Sequence, residues 1–146
     1  MNAYADTGFI CSLMAPDANS EAALKCMAKH KLPLSWTWLH DLEFRNAMRL
    51  RVFRKELTIA EADLMIGLLL SDLASGVYQR EEPLMHLIST EAERLSAGFT
   101  ARIGTRSLDI LHVANALVLG ATSFLTFDKR QAELAKSAGL KVPKLG

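Results

Sequence analysis

Four acidic residues occupy positions at which a carboxylate can do chemistry. Asp6 lies in the short apolar run "NAYADTGFI" and Asp128 directly follows "TSFLTF", so each acid ends a segment with the composition of a buried strand. Glu43 and Asp109 lie on the apolar faces of predicted helices. An acid on an apolar face needs a partner or a cation.

Asp6 also has simpler explanations. Asp-Thr-Gly resembles the aspartic-protease triplet, but such a protease needs two triplets on an all-β frame, and this mostly helical pattern offers one. A dehalogenase-type phosphatase would place a second acid at position 8, which is Gly8. A turn role for Asp6, a helix N-cap role for Asp128 and a helix-dipole role for Asp109 remain open. These roles do not explain Glu43.

Electrostatics indicates what a cluster of these acids would bind. Four carboxylates within about 5 Å of one another repel by about 3 kcal/mol per pair at an effective dielectric of ~20, so six pairs approach an order of 20 kcal/mol. Protons or a divalent cation must therefore neutralise them. Oxygen ligands without cysteine suit Mg²⁺ or Mn²⁺ rather than zinc. Such ions commonly serve phosphodiester hydrolysis.

The elements that would position the acids alternate between strand and helix. Predicted strands are 2–10, 32–39, 77–83, 122–127 and, more weakly, 140–145; predicted helices are 16–30, 39–54, 58–76, 84–104, 107–120 and 128–139. Alternation predicts an α/β fold with a mainly parallel sheet between helices, formed by a single domain over 1–146. The carboxyl ends of parallel strands share one edge, so Asp6 and Asp128 would emerge together.

Local signals fix several helix ends. They comprise a capping box at Thr58 and Glu61, a C-cap at Gly76, and a capping pair at Asp128 and Gln131. The segment 84–104 is one helix or two, because Ser89, Thr90 and Glu93 offer a second start inside it.

Composition excludes several classes of protein. The chain has 146 residues, a net charge of +1 and two cysteines, Cys11 and Cys26, whose spacing suits neither a metal site nor a disulfide framework. No secretory signal is evident, and the apolar window 108–127 contains Asp109 and His112, which suit a buried helix better than a membrane span. We expect a cytoplasmic protein without a membrane segment.

One local stretch is strongly basic. "RNAMRLRVFRK", residues 45–55, holds five cations and no acid. A solvated helix face is the ordinary explanation. The alternative is that Arg45 and Arg49 guide a nucleic-acid backbone.

The motifs together resemble the PIN domain, and especially the VapC-like ribonucleases of toxin-antitoxin modules. The matching segments run in order along the whole chain: Asp6-Thr7 after the first strand, "LEFRNAMR" with Glu43 and Asn46, "RSLDILHVANAL" with Asp109, and "SFLTFDKR" with Asp128.

The resemblance implies a three-layer α/β/α sandwich and metal-dependent cleavage of RNA. It implies that the four acids hold Mg²⁺ or Mn²⁺, with Asp128 in the more variable fourth position. Thr7 and Asn46 would support the pocket. A cognate antitoxin and a homodimer are the partners that such proteins commonly have.

Three further hypotheses compete with a ribonuclease. One is a PIN-like module that binds RNA or protein without cutting, and another is a small-molecule phosphatase on the same frame. His40 stands three residues before Glu43 and His112 three after Asp109, a spacing that a transition-metal site would also use. A packed or hydrogen-bonded histidine is the ordinary alternative.

Overall fold

The computed structural model describes residues 2–145 of a helix-rich α/β protein. Its helices are α1 (Thr7–Met14), α2 (Ser20–Met27), α3 (Trp38–Phe53), α4 (Ile59–Ser75), α5 (Met85–Leu95), α6 (Ala101–Ile103), α7 (Ser107–Val118) and α8 (Lys129–Ser137). Its strands are β1 (Ala3–Ala5), β2 (Leu34–Trp36), β3 (Tyr78–Arg80) and β4 (Ser123–Leu125). The chain divides into two compact units, one of residues up to Asp6 and from Glu82 onward, the other Thr7–Glu81.

The first unit is organised around a parallel strand pair. Strands β1 and β4 pair with Tyr4 opposite Phe124, and the two rings stack with centroids 5.6 Å apart. Lys141 forms a single bridge to Ser123 on the other side of β4. The buried face is completed by apolar residues of α5, α7 and α8, including Ile88, Leu95, Ile110, Val113 and Leu134. This packing holds the ends of β1 and β4 at one edge.

The second unit is organised around Trp36. Strands β2 and β3 pair in parallel, and the Trp36 ring, which is fully buried, contacts Tyr78 and Phe44 at centroid distances of 5.2 and 6.0 Å. Helices α1, α3 and α4 pack in the same unit. Helix α3 follows β2 after one residue, Thr37, so the position of α3 is tied to that of the strand.

The predicted α/β class with parallel strands is confirmed. The described strands form two ladders of two strands each, whereas the sequence predicts one central sheet. Each strand is three residues long, so few backbone hydrogen bonds are available to extend either ladder. The first and last residues of the predicted domain, 1 and 146, lie outside the described residues.

Several predicted boundaries are wrong. Strand β1 ends at Ala5, and helix α1, Thr7–Met14, is not predicted from the sequence. The last predicted strand is reduced to the bridge at Lys141. No helix begins at Thr90, whose hydroxyl instead donates to the carbonyl of His86 within α5. Helix α5 continues through a π-helical segment, Ser96–Thr100, into α6.

The helix ends predicted from capping residues are more accurate than the other predicted boundaries. The capping box of Thr58 and Glu61 is present, with reciprocal hydrogen bonds of 3.0 and 3.1 Å, and Gly76 ends α4 in the left-handed region at φ 86°. Across the described residues, no helix is long and apolar enough to cross a membrane.

Candidate active site

The site begins where β1 and β4 end. The ladder closes with a hydrogen bond from the Asp6 amide to the Leu125 carbonyl, 3.1 Å long. Asp6 and Thr126 therefore face each other just beyond the paired residues, and both are buried. The Thr126 hydroxyl lies 2.5 Å from Asp6 Oδ2 and donates to it. A short bond from a hydroxyl to a buried carboxylate fixes the orientation of Asp6.

Asp128, the fourth predicted acid, is hydrogen-bonded through its backbone amide to the same residue, Thr126. The Asp128 amide donates to Thr126 Oγ1 over 3.0 Å, and Asp128 Oδ1 accepts from the Gln131 amide over 2.8 Å, so Asp128 is the N-cap of α8. The predicted capping pair is confirmed for the hydrogen bond from the Gln131 amide to the Asp128 side chain. The Gln131 side chain does not return the bond; it turns inward to Thr126 and the Asp109 carbonyl.

Asp109 lies in the first turn of α7 and is partly buried. Its Oδ2 accepts weakly from the Arg106 amide at 3.4 Å. Burial, and secondly the negative charge of Asp128, raise the pKa of Asp109 above its usual range. The effect of Asp128 shows that two of the predicted acids lie close enough in the first unit to repel each other.

The donor chemistry of these acids fits a hard divalent cation. Asp6, Asp109 and Asp128 offer only oxygen ligands, and the repulsion between Asp109 and Asp128 is what a cation would relieve. Among residues 2–145, no group of three or more His, Cys, Asp and Glu side chains is already placed to bind one ion.

Glu43 belongs to the second unit, on α3. Its Oε1 accepts a hydrogen bond of 2.8 Å from the hydroxyl of Thr7, the residue that follows Asp6 in the chain. Glu43 is partly buried, but Leu50, predicted to share its apolar stripe, is 40% exposed. Thr7 thus satisfies part of the need for a partner that the sequence predicts for Glu43.

The other predicted residues of α3 differ in exposure. Asn46 and Arg49 are exposed, whereas Arg45 is partly buried. Of the basic stretch, Arg51 forms an ion pair with Asp17 at 3.7 Å. Of Arg45 and Arg49, Arg49 therefore has the more accessible side chain.

A hydrogen-bonded cluster fixes the start of α3. The buried Trp36 Nε1 donates to Asp41 Oδ1 over 2.7 Å, and Arg80 donates to Asp41 Oδ2 over 2.6 Å. Burial alone would raise the pKa of Asp41, but the hydrogen bonds from Trp36 and Arg80 outweigh it and lower that pKa. Asp41 therefore connects both strands of the second unit to the helix that carries Glu43.

The two histidines considered as metal ligands have structural partners. His40 is fully buried; its Nδ1 accepts from the Thr37 amide over 2.9 Å and closes the capping box of α3. His112 Nδ1 lies 2.8 Å from the hydroxyl of Tyr4. Both therefore match the packed, hydrogen-bonded alternative.

Two residues of the site are absent from the sequence-based prediction in this role. Thr126 is not singled out at all, and Gln131 appears only as a capping partner. A hydroxyl two residues before an acid at a strand end is the one signal for Thr126. Gln131 gives none beyond its capping position, because its inward contacts depend on tertiary packing.

Asp6 and Asp128 follow the carboxyl ends of a parallel strand pair in a helix-rich α/β chain. Its resemblance to the PIN domain is confirmed at the level of the fold by three solved structures. No protein-family model and no curated protein matches the sequence.

The solved structures share nearly the full chain. VapC20 of Mycobacterium tuberculosis, a sarcin-ricin loop cleaving toxin, is 17% identical, with 98% of this chain and 100% of that chain covered and a TM-score of 0.68. VapBC2 of Rickettsia felis, bound to a DNA fragment from their promoter, is 11% identical, with 100% of both chains covered and a TM-score of 0.68. FitAcB of Neisseria gonorrhoeae is 15% identical, with 97% and 96% covered and a TM-score of 0.64. The chain has the fold of these VapC-like proteins.

Proposed function

We propose that this protein is a divalent-metal-dependent endoribonuclease, the toxin of a toxin-antitoxin module. The observation that carries the proposal is the gathering of acids at the ends of β1 and β4, in a chain with the VapC-like fold. Asp6 and Asp128 are both connected to Thr126, and Asp128 raises the pKa of Asp109. The sarcin-ricin loop named for VapC20 supports RNA as the class of substrate.

Asp6, Glu43, Asp109 and Asp128 would hold Mg²⁺ or Mn²⁺. When bound, the ion supplies charge neutralisation, a more acidic water and stabilisation of the leaving oxygen. The chain's own contribution is orientation. Thr126 holds Asp6, and the cap of α8 holds Asp128.

Glu43 enters the proposal through Thr7. Thr7 is covalently linked to Asp6, and its hydroxyl fixes Glu43 Oε1 at 2.8 Å. Within the second unit this hydrogen bond holds the Glu43 carboxylate, and Glu43 is included because it is one of the four acids that the sequence singles out. Asn46 lies about one turn further along α3 and is proposed as a polar residue that supports the pocket.

Arg45 and Arg49 would contact the RNA backbone. They are one helical turn apart, so their side chains project from the same side of α3. Phosphate contacts of this kind give affinity without reading sequence, and their contribution weakens as salt increases. The reaction would take place in the cytoplasm, where RNA is abundant and Cys11 and Cys26 stay reduced.

An antitoxin is the proposed protein partner. The second unit contains an apolar groove of ≈ 380 Å³, and Leu24, Leu32 and Leu68 in its lining are 59%, 54% and 45% exposed. Apolar surface of this kind marks a protein-binding site. A short reading frame beside the gene, with a DNA-binding start and an amphipathic tail, is the expected source of the partner.

A homodimer is also proposed, through the first unit. Leu84, Met85 and Leu87 at the start of α5, with Leu108 at the start of α7, are between 45% and 60% exposed. Light scattering at micromolar concentration should give twice the monomer mass of 16.1 kDa.

A non-cleaving PIN-like module is the second candidate. It is favoured by the lack, among the described residues, of three acids already arranged around one point. Calorimetry with Mn²⁺ separates the two functions, because a module without a metal site gives no heat and no stabilisation. A panel of phosphomonoesters would reveal the small-molecule phosphatase.

Cleavage of RNA by Asp109→Asn tests the primary proposal. We expect the rate in Mg²⁺ or Mn²⁺ to fall by about two orders of magnitude or more, because a charge at the reacting centre is lost. Asp63→Asn, an exposed acid on α4, is the matched control and should cleave normally. Undiminished cleavage by Asp109→Asn would refute the scheme.

A further inference from the structure

Gln131 has an unusual environment for a surface-helix residue. Its side chain is 1% exposed although it stands in the first turn of α8. Glutamine is seldom fully buried unless its amide is hydrogen-bonded. Both ends of this amide have partners: Oε1 is 3.0 Å from Thr126 Oγ1, and Nε2 donates to the Asp109 carbonyl over 3.4 Å.

The partners of Gln131 all lie in segments that carry the acids. Its backbone amide donates to Asp128 Oδ1, its Nε2 reaches the backbone of Asp109, and its Oε1 meets the threonine that donates to Asp6. One residue thus connects the first turn of α7, the cap of α8 and the ends of β1 and β4. Helix capping uses only the backbone amide and leaves the buried side chain unexplained.

The Thr126 hydroxyl is both an acceptor and a donor in the hydrogen bonds that connect Gln131 with the acids. Its oxygen accepts from the Asp128 amide, and its single hydrogen has two acceptors, Asp6 Oδ2 at 2.5 Å and Gln131 Oε1 at 3.0 Å. The hydrogen is shared in a three-centre hydrogen bond, in which the shorter contact, to the Asp6 carboxylate, is the stronger and Gln131 Oε1 is the weaker acceptor. Gln131 Oε1 is then a second acceptor within reach of the same hydrogen whenever Asp6 engages another group.

We propose that Gln131 is a positioning residue that, through Thr126, holds Asp6, Asp109 and Asp128 in the arrangement that accepts a divalent cation. This inference rests on the proposed function and extends it to a residue that touches neither the cation nor RNA. Hydrogen-bond partners of ligands typically change metal affinity by about 10–100-fold when they are removed.

The test replaces the amide without removing its volume. Gln131→Met keeps length and burial but loses both polar ends, and Thr126→Val removes the hydroxyl isosterically. Thr126→Ser restores the hydroxyl and serves as the rescue. Leu134→Met, on the same helix and fully buried, is the matched control for disturbed packing.

The metal-binding measurement is Mn²⁺ titration by calorimetry, with RNA cleavage at saturating Mn²⁺. Gln131→Met and Thr126→Val should bind Mn²⁺ about 10–100-fold more weakly and lower kcat with little change in KM for RNA. Thr126→Ser should bind Mn²⁺ more tightly than Thr126→Val because it restores the hydroxyl, and Leu134→Met should match the natural protein. Natural Mn²⁺ affinity in Gln131→Met would overturn the proposal.

A second measurement works without metal or RNA. The Asp128 amide is bonded to Thr126, so its hydrogen exchange reports whether that threonine is held. Exchange should be about tenfold faster in Gln131→Met than in Leu134→Met. Equal exchange would overturn the positioning role. If the natural protein neither binds Mn²⁺ nor cleaves RNA, the proposed function fails, and hydrogen exchange alone still decides whether Gln131 positions the acids.

Discussion

The hydrogen bonds of Asp41 predict how much stability is lost when this residue, at the start of the helix that carries Glu43, is replaced. Its carboxylate accepts from the buried Trp36 ring nitrogen and from Arg80. Asp41→Ala leaves the Trp36 N–H without its acceptor, which costs about 1–3 kcal/mol. Loss of the partly exposed pair with Arg80 adds about 0.5 kcal/mol, and loss of an acid in the first helical turn a similar amount. We expect Asp41→Ala to lower the free energy of unfolding by about 3 kcal/mol.

Asp41→Asn is the matched comparison. Its amide oxygen still accepts from Trp36, so only the charge contributions are lost and the expected cost is about 1 kcal/mol. Urea denaturation followed by circular dichroism measures both variants. Equal costs for the two substitutions would show that the Trp36 hydrogen bond does not contribute as proposed.

The pH dependence of this contribution has a defined sign. Although burial opposes it, the hydrogen bonds from Trp36 and Arg80 lower the folded-state pKa of Asp41 below its usual 3.8. The stability that Asp41 contributes is therefore fully present above pH 3.8 and is lost as the pH falls through the lower, folded-state value. The difference between the natural protein and Asp41→Asn should shrink in that acidic range.

Two further predictions concern single positions. Lys55 follows α3 in the left-handed region at φ 62°, with the amides of Lys55 and Glu56 bonded to the Val52 and Arg51 carbonyls, the pattern that favours glycine. Lys55→Gly should stabilise the protein by about 0.5–1 kcal/mol in urea denaturation, whereas Arg54→Gly, at φ −80°, should destabilise it by a similar amount. Burial, and secondly the negative charge of Asp128, raise the folded-state pKa of Asp109. This carboxyl group therefore contributes stability below pH 3.8, its usual pKa, and that contribution is lost as the pH rises through the higher, folded-state pKa. With EDTA present, Asp109→Asn should therefore be more stable than the natural protein at pH 7 and equal to it at low pH; a gap that does not change with pH would contradict this reasoning.

The parts of the fold that the sequence predicts correctly depend on local chemistry. Thr58, Glu61 and Gly76 set the ends of α4 through bonds within a few residues, so spacing alone is sufficient. The first strand and the strand before Asp128 are predicted because their apolar runs are short and bounded. The order of alternating elements follows from these signals.

Helix α1 is missed for a physical reason. Thr7–Met14 is apolar on nearly every side, so no period distinguishes a buried helix from a strand in so short a segment. Phe9 and Ile10 are both fully buried, which removes the polar face that marks an amphipathic helix. Only tertiary packing decides the outcome there.

The four acids of the candidate site stay a prediction, and the contacts that hold them leave no signal in the sequence. Glu43 is noticed because a charge on an apolar stripe is anomalous in the sequence. Thr126 and Gln131 are ordinary at a strand end and in a helix cap, and their role arises from contacts with Asp6 and Asp109, 120 and 22 residues away. Separations of this size leave no local pattern.

The pairing of β1 with β4 also sets the point in synthesis at which Asp6 can be oriented. Asp6 emerges early from the ribosome, but the threonine that orients it follows 120 residues later. At ~5–20 residues per second, translation takes roughly 6–24 s to cover that distance. During that interval a nascent chain carries Asp6 without its threonine partner, and the acids of the first unit can come together only after Thr126 and Asp128 have been made.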